Sequence, residues 1–308
     1  MKKPRRGAAV FGLALACLGL ATGAAALEED YSGKPDWYVY HRGLEHFRGG
    51  RFGEALRAMK ELQDPSRVTP PEVYVLIGKI YREEGENDLA ERFLKRALAD
   101  APALGVPQDR YEILYLLADI HYRRKSYKNY EDVLESILSD HSLYRDERYA
   151  RLREGYLRTA RERGFDSFVS LYRQGDDFTR AAHLGLGVFA VRTGRDEKGA
   201  LHLLFADLAA VSTLIGFQRD RDPDYVFSSL PDLLARARRL PGAEDYIEET
   251  ELHKGLYYLA SALHRTGGVT AARSVRALLV TERRDAPRFV VRDPVLDAVA
   301  ETAREHVG

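Results

Sequence analysis

The sequence feature that most constrains the fold is a 34-residue unit running from Pro71 to Leu104. Small residues alternate with large apolar or aromatic residues along this unit. The residues that form the pattern are Tyr74, Ile77, Gly78, Tyr81, Gly85, Ala90, Leu94, Ala97 and Pro102. Gly78 and Ala90 would allow two antiparallel helices to cross closely, while the larger side chains fill the space around the crossing. Gly85 would support the turn between the helices, and Pro102 would end the second helix.

In this pattern the unit resembles the tetratricopeptide repeat at every signature position. The resemblance implies an all-α fold in which antiparallel helix pairs stack into a right-handed superhelix. Weaker copies of the same pattern begin at Asp36, Tyr111 and His253, although Tyr130 replaces the small twentieth residue of the Tyr111 unit. The predicted repeats are 36–69, 71–104, 111–144 and 253–286.

The segment 145–252 carries the pattern less clearly and is predicted to contain divergent helical repeats and a loop. Ala181 to Leu214 can be aligned with the unit, but this register puts the large residue Val188 where a small one is expected. The other predictions are a helix from Arg148 to Phe165, a shorter helix after Gly164, a charged loop over Gly216–Asp224, a helix over Ser229–Leu240 and a capping helix within 287–308.

The first 26 residues are predicted to be a signal peptide, followed by a short linker over 27–35. Lys2, Lys3, Arg5 and Arg6 precede an apolar stretch that ends in the triplet Ala24-Ala25-Ala26. Cleavage after Ala26 would leave Leu27 first, and the stretch is short for a membrane span. We therefore expect export to the periplasm or cell envelope. An uncleaved anchor helix is the alternative.

Cys17, the single cysteine of the chain, lies inside this leader. Its surroundings resemble a bacterial lipobox, with small Ala16 just before it, but Ala14 stands where leucine is preferred. The favoured interpretation is a small hydrophobic residue in an apolar helix, and lipidation of Cys17 is the alternative. Under either interpretation the mature domain is expected to have no thiol for a disulfide, a Cys-ligated metal site or a Cys nucleophile.

Composition argues against nucleic acid as a partner. The chain has 47 basic and 47 acidic residues, and loss of the four basic leader residues leaves 43 against 47, which is a slightly acidic balance. No further apolar stretch is expected to approach membrane-span length. The rest of the chain is therefore expected to be soluble unless it is lipid-anchored.

The motifs that could carry enzyme chemistry are weak. Gly185 to Ala190 matches a dinucleotide fingerprint, but a helix start and not a strand precedes it. The carboxylates from Asp220 to Asp224 begin like a calcium loop, yet Tyr225 stands where glycine must turn the chain. His41 and His46 are five residues apart, and no zinc-protease, nucleophile-elbow or Walker motif occurs. We expect neither an enzyme nor a cofactor or metal.

The resemblance implies that the second, fifth, ninth, twelfth and thirteenth residues of each first helix line a concave groove. Aromatic and arginine side chains recur at these places, and both types are enriched in binding hot spots. The expected groove residues are Trp37, Tyr40, Phe47, Arg48, Lys79, Arg82, Tyr115, Asp119, Tyr122, Arg123, Arg192, Tyr257, His264 and Arg265.

The function expected from this groove is that of a protein-binding scaffold or adaptor of the cell envelope, whose partner is another protein or peptide. The Lys and Asn pair that clamps a chaperone's terminal carboxylate is absent from the fifth and ninth places. Packing of the tyrosines between helices is the competing interpretation of each one. The alternative functions are an accessory subunit of an envelope assembly or transport complex and a hydrolase on a helical scaffold.

Overall fold

The structure, a computed structural model, describes residues 29–63, 68–139, 147–172 and 178–285. Within these ranges it consists of fourteen α-helices and two short 3-10 segments, with no strand. The prediction of an all-α fold is therefore confirmed for the described part of the chain. The predicted signal peptide, with Cys17, and the predicted capping helix within 287–308 lie outside the described residues.

Most of the helices follow one another through short connections. In chain order they are α1 (Asp36–Arg48), α2 (Phe52–Glu61), α3 (Pro71–Glu83), α4 (Asn87–Ala99), α5 (Asp109–Arg123), α6 (Tyr127–Leu138), α7 (Ala150–Arg163), α8 (Phe165–Leu171), α9 (Arg180–Arg192), α10 (Asp196–Arg221), α11 (Leu230–Ala237), α12 (Ala243–Glu249), α13 (Leu252–Arg265) and α14 (Val269–Asp285). The 3-10 segments are Ala101–Ala103 and Glu147–Tyr149.

Five helix pairs form a row in the order α1/α2, α3/α4, α5/α6, α9/α10 and α13/α14. The second helix of each pair also contacts the first helix of the next pair, even where other helices intervene in the chain. Among the first helices, α3 contacts both α1 and α5, and α9 contacts α13. The first helices therefore share one side of the row.

Small residues permit the close crossing inside each pair. The eighth place of the pairs is always small and buried, being Gly43, Gly78, Ala118, Gly187 and Ala260 in turn. A Cβ atom added at Gly78 would lie 2.7 Å from Leu94 Cγ, and one at Gly187 would lie 2.6 Å from Leu203 Cγ. These distances are shorter than any real carbon contact, so the second helix occupies the space that a side chain would need.

The turn inside each pair contains a residue with positive φ at the same place of the unit. These residues are Gly50, Gly85, Lys125, Gly194 and Gly267. Lys125 has φ 58°, a conformation that costs free energy for a residue with a Cβ atom. The geometry of the turn is therefore kept even where the sequence does not supply glycine.

The fourth pair has a different register from the predicted one. The prediction started the unit at Ala181 and put Val188 at the crossing, whereas in the structure Gly187 lies at the crossing and the unit starts at Arg180. The crossing selects the smaller residue because Val188 would force the helices apart. Arg192 thereby moves from the twelfth to the thirteenth place, which the resemblance also assigns to the concave face.

Helix α10 is longer than predicted. It continues to Arg221, so the predicted charged loop over Gly216–Asp224 is wrong from Gly216 to Arg221. Gln218 is buried in this extension, and Leu214 and Ile215 just before it are buried as well. Burial of these side chains against the neighbouring helices stabilises the helical conformation, although charged residues lie at the end of α10.

Helix α10 is also long and apolar enough to cross a membrane, with a mean hydropathy of 1.8 over its most apolar window. This corrects the expectation that no further stretch approaches span length. However, 72% of that window is buried inside the protein. Helices α7, α8, α9, α11, α12 and α13 all contact it, which is the arrangement of a core helix.

The helices outside the five pairs, which are α7, α8, α11 and α12, pack against this core helix. Helix α7 contacts α10 and α14, and the ring of Tyr156 on α7 lies 5.4 Å from that of Phe205 on α10. The carboxylate of Asp166 on α8 accepts a hydrogen bond of 2.9 Å from the backbone N–H of Leu230, which fixes the start of α11. The helices predicted after Arg148, after Gly164 and after Ser229 are confirmed, with slightly different ends.

The pair α9/α10 encloses polar groups. His183 Nδ1 and His202 Nδ1 lie 2.9 Å apart, and both rings are buried. Burial lowers the pKa of His202 to about 3, with smaller contributions from Lys198 and Arg195. The carboxyl of Asp207, further along α10, is also buried, and burial raises its pKa well above the usual value. Burial therefore favours the neutral form of both groups.

Gly78→Ala should destabilise the protein by about 1 to 3 kcal/mol, because the new Cβ atom would collide with Leu94 at the crossing. Gly216→Ala is the matched control, since its Cβ atom would meet nothing within 4 Å on α10. That change should stabilise the protein by up to about 1 kcal/mol through helix propensity. Thermal unfolding of both variants checks the crossing, and an unchanged melting temperature for Gly78→Ala would contradict it.

Stability should fall as pH decreases below about 6.5, the ordinary pKa of histidine, because unfolded His202 binds a proton that folded His202 resists until about pH 3. The unfolded chain thus binds more protons in this window, so this contribution is complete above pH 6.5 and is lost in acid. His202→Gln should reduce the difference in melting temperature between pH 7 and pH 5. An equal difference in the variant and the wild type would show that His202 does not cause the effect.

Candidate functional site

A cavity of about 570 Å³ opens between the third and fourth helix pairs, at the surface shared by α5, α6 and α9 and closed by the start of α13. A second cavity of about 430 Å³ lies beside it, toward α3. Tyr115, Arg180 and Ala181 line both cavities. We call the two cavities together the groove.

Four aromatic rings form one wall of the larger cavity, and we call them the aromatic wall. They are Tyr122 from α5, Tyr127 and Tyr130 from α6, and Phe189 from α9. The centroid distances between neighbouring rings run from 5.2 Å for Tyr122 and Tyr130 to 6.0 Å for Tyr122 and Tyr127. Tyr122 and Tyr127 are 41% and 42% exposed, so their rings remain accessible for contact with a ligand.

Tyr130 stands at the place where a small residue was expected, and Gly185 on α9 compensates for its size. A Cβ atom at Gly185 would lie 2.6 Å from Tyr130 Oη, so the ring extends from α6 toward α9 over this glycine. Burial raises the pKa of the Tyr130 hydroxyl, which therefore stays protonated.

The rim of the larger cavity carries three cations and three anions. The cations are Arg180, Arg192 and Lys254, and the anions are Asp119, Glu249 and Glu251. Some of these charged groups already contact other side chains of the protein. Lys254 Nζ lies 2.9 Å from Glu251 Oε1, and Arg192 Nη1 donates to Tyr122 Oη over 3.3 Å. The cavity is thus electrically balanced and mainly apolar inside.

Tyr115 is a predicted groove residue that also holds two helices together. Its hydroxyl donates a 2.6 Å hydrogen bond to the carbonyl of Phe178 and accepts one of 3.1 Å from the N–H of Ala182. Ala182 lies in the first turn of α9, whose N–H groups have no partner within the helix. The half-buried ring of Tyr115 therefore fixes the start of α9 against α5 while lining both cavities.

The predicted charged residues of the second and third pairs form ion pairs along the side of the first helices. Lys79 Nζ lies 2.7 Å from Glu112 Oε1, which joins α3 to α5. Arg123 Nε lies 3.0 Å from Asp119 Oδ2, and Arg82 approaches the same carboxylate at 3.7 Å. Asp119 is therefore shared by two arginines at the edge of the groove.

The predicted residues of the first pair lie away from both cavities. Trp37 is 71% exposed and its ring meets Tyr38 edge to face at 6.0 Å. Tyr40 and Phe47 are half-buried against the core of the first two pairs. Arg48 is exposed at the end of α1.

The predicted residues of the last pair also lie outside both cavities. Tyr257 is half-buried against the core. Arg265 is engaged by Asp196, with 2.6 Å between Arg265 Nη2 and Asp196 Oδ1, which ties α13 to α10. His264 is half-buried at the end of α13. Of the fourteen predicted residues the groove thus brings together Arg82, Tyr115, Asp119, Tyr122 and Arg192.

Sequence reasoning missed most of the aromatic wall. Tyr127 and Tyr130 belong to a second helix, and the resemblance assigns groove residues to first helices only. Glu249, Glu251 and Lys254 reach the rim because α11 and α12 lead the chain back to α9. The signal that could have found the wall was Tyr130 itself, a large residue at a place that is small elsewhere.

The described residues contain no group of three or more His, Cys, Asp or Glu side chains arranged to hold a metal ion. His41 and His46 both lie on α1, where each contacts a carboxylate, Glu45 at 3.2 Å and Glu29 at 3.1 Å. The segment from Gly185 to Ala190 lies inside α9, so it lacks the strand and phosphate-binding turn of a dinucleotide site.

No protein-family model matches the chain. It is similar to an uncharacterized protein of Treponema pallidum (strain Nichols), with 28% identity over 208 residues. The matched region covers 67% of this chain and 55% of the relative, so the chain spans about half of the relative's length.

Tyr115→Phe should lower the free energy of unfolding by about 1 to 2 kcal/mol, because it removes both hydrogen bonds to the α9 start. Backbone amides at the beginning of α9 should then exchange faster with solvent. Tyr122→Phe is the matched control, since its hydroxyl meets an exposed arginine and should matter less. Equal exchange at α9 in wild type and Tyr115→Phe would contradict the bridging role.

Proposed function

We propose that this chain is a non-enzymatic scaffold or adaptor that binds a segment of another protein in the groove. The observation that carries the proposal is the aromatic wall, whose partly exposed rings face a cavity between the third and fourth helix pairs. Aromatic rings offer large and rigid contact area at a small cost in conformational entropy. Arg180 and Arg192 line the same cavity and Arg82 lines the adjoining one, and arginine side chains can bind carbonyl or carboxylate groups of a peptide.

We further propose that the five helix pairs are tetratricopeptide-type repeats stacked in a right-handed superhelix. In support, the small eighth residue and the positive-φ turn recur at one place of all five pairs. Helices α7, α8, α11 and α12 are then insertions into the row, which explains why the pattern is weak over 145–252. Such stacked pairs commonly use an extended concave surface for binding.

The site of action that we propose is the cell envelope, after export directed by the first 26 residues. The proposal rests on the basic, apolar and small-residue order of that segment, and the alternatives of an anchor helix or lipidation at Cys17 remain part of it. An adaptor in the envelope can also serve as an accessory subunit of an assembly or transport complex, since both functions need the same groove.

Tyr122→Ala combined with Arg192→Ala should weaken partner binding by about 2 kcal/mol or more, as loss of hot-spot residues does. The partner is captured in cells that express the full chain, with a photo-crosslinking amino acid at Tyr127. The same crosslinker at Tyr149, which is also exposed but lies outside both cavities, is the matched control.

A defined crosslinked protein is expected at Tyr127 and not at Tyr149, and the double variant should abolish it without lowering the melting temperature. Equal crosslinking at both positions, or none at Tyr127, would place the working surface elsewhere. The mass of the present chain, measured in the same cells, also tests export, because cleavage after Ala26 would leave Leu27 as its first residue.

A further inference from the structure

Tyr130 is a large residue at a place where the other four helix pairs have a small one. The twentieth place of those pairs holds Ala55, Ala90, Gly199 and Ala272, all of them buried at the crossing. In the third pair the same place holds a tyrosine whose ring lines the larger cavity. The pairing of α5 with α6 does not need this ring, because small residues are sufficient at every other crossing.

The space for this ring comes from the neighbouring pair. Gly185 lies on α9, and a Cβ atom there would come within 2.6 Å of Tyr130 Oη and 3.1 Å of Leu134 Cδ1. Both atoms lie at the ends of side chains and not in the backbone, so alanine at position 185 requires the Tyr130 ring to shift. The new methyl group would occupy the space beside the hydroxyl.

No hydrogen bond joins the hydroxyl of Tyr130 to another described residue, and its half-buried ring lines the cavity. In contrast, the hydroxyl of Tyr115 makes two hydrogen bonds and that of Tyr122 accepts one from Arg192. Because the ring lines the cavity, its hydroxyl can exchange a hydrogen bond to water for one to a ligand. Tyr130 therefore offers one hydrogen bond at the inner end of an aromatic cavity.

The charges around the cavity are balanced, with three cations and three anions on the rim. A strongly charged ligand would gain attraction from one set of groups and repulsion from the other. A flat and neutral group instead gains from stacking against the rings of Tyr122, Tyr127 and Phe189. Aromatic pairs prefer offset or edge-to-face contacts, and both kinds of arrangement are open beside tilted rings.

We propose that the pocket between Tyr122, Tyr127, Tyr130, Gly185 and Phe189 binds one aromatic side chain with a polar tip, a tyrosine or tryptophan, from the bound protein segment. The proposal rests on the proposed function and names the partner's anchor residue. The ring of the anchor stacks on the aromatic wall, and its O–H or N–H donates a hydrogen bond to the hydroxyl oxygen of Tyr130.

The test uses the full chain and small probes of defined chemistry, with binding measured by ligand-observed saturation-transfer NMR. The aromatic probes are N-acetyl-tyrosinamide, N-acetyl-tryptophanamide and N-acetyl-phenylalaninamide. N-acetyl-leucinamide, choline and N-acetylglucosamine represent an aliphatic side chain, a cation and a sugar. The tyrosine and tryptophan amides should bind about fivefold or more tightly than the leucine amide, the gain expected from stacking and one hydrogen bond.

Two variants locate the binding. Tyr130→Phe should remove the preference for the tyrosine amide over the phenylalanine amide, while leaving the melting temperature close to that of wild type. Gly185→Ala should weaken all three aromatic amides, because the new methyl group occupies the pocket. The matched controls are Tyr149→Phe and Gly53→Ala, which lie outside both cavities and should change nothing.

The inference is overturned if the leucine amide binds as tightly as the aromatic ones, if choline or the sugar binds more tightly, or if Tyr130→Phe leaves the preference unchanged. Failure of every probe to bind also overturns it. These outcomes are separate from the crosslinking at Tyr127, which tests whether the groove binds a protein at all. A crosslink without amide binding would keep the adaptor function and reject the aromatic anchor.

Discussion

The close crossing of two helices at a pair of small residues is the interaction on which the rest of this structure depends. Gly78 and Ala90 let α3 and α4 approach so closely that Leu94 fills the space where another residue would carry a side chain. The same arrangement recurs at Gly43 and at Gly187. Each crossing leaves one apolar flank of the pair uncovered, and that flank becomes buried only when the next pair packs against it. The row of pairs follows from this requirement.

The groove lies beside the helix crossing at which a large residue replaces a small one. Tyr130 replaces the small residue of the third crossing, and its ring extends to α9, where Gly185 provides room. Tyr115 fixes the start of α9 on the other side of the same gap. The third and fourth pairs are therefore joined by polar and aromatic contacts around a cavity. In the first two pairs, by contrast, Tyr40 and Phe47 pack directly on a continuous core.

Particular residues show how far the sequence could predict this arrangement. The pattern over Pro71–Leu104 predicted both helices and their crossing, because the size of each residue is tied to its place in the pair. The register of the fourth pair was wrong by one residue, since Gly185, Gly187 and Gly199 offer several small candidates within one helix pair. The extent of α10 was also mispredicted, because charged residues near its end suggested a loop although neighbouring helices bury Leu214 and Ile215.

The sequence by itself determined the helical class, the pairing of neighbouring helices and the turns between them, because these depend on contacts between residues close in the chain. It also pointed to aromatic and arginine residues on the first helices. Only the tertiary structure decided which of them share a cavity, since Tyr122 and Arg192 meet across 70 positions of sequence. The side chains that complete the groove, Tyr130 from a second helix and Glu251 from beyond the inserted helices, depend on how distant pairs pack, and no local pattern encodes that packing.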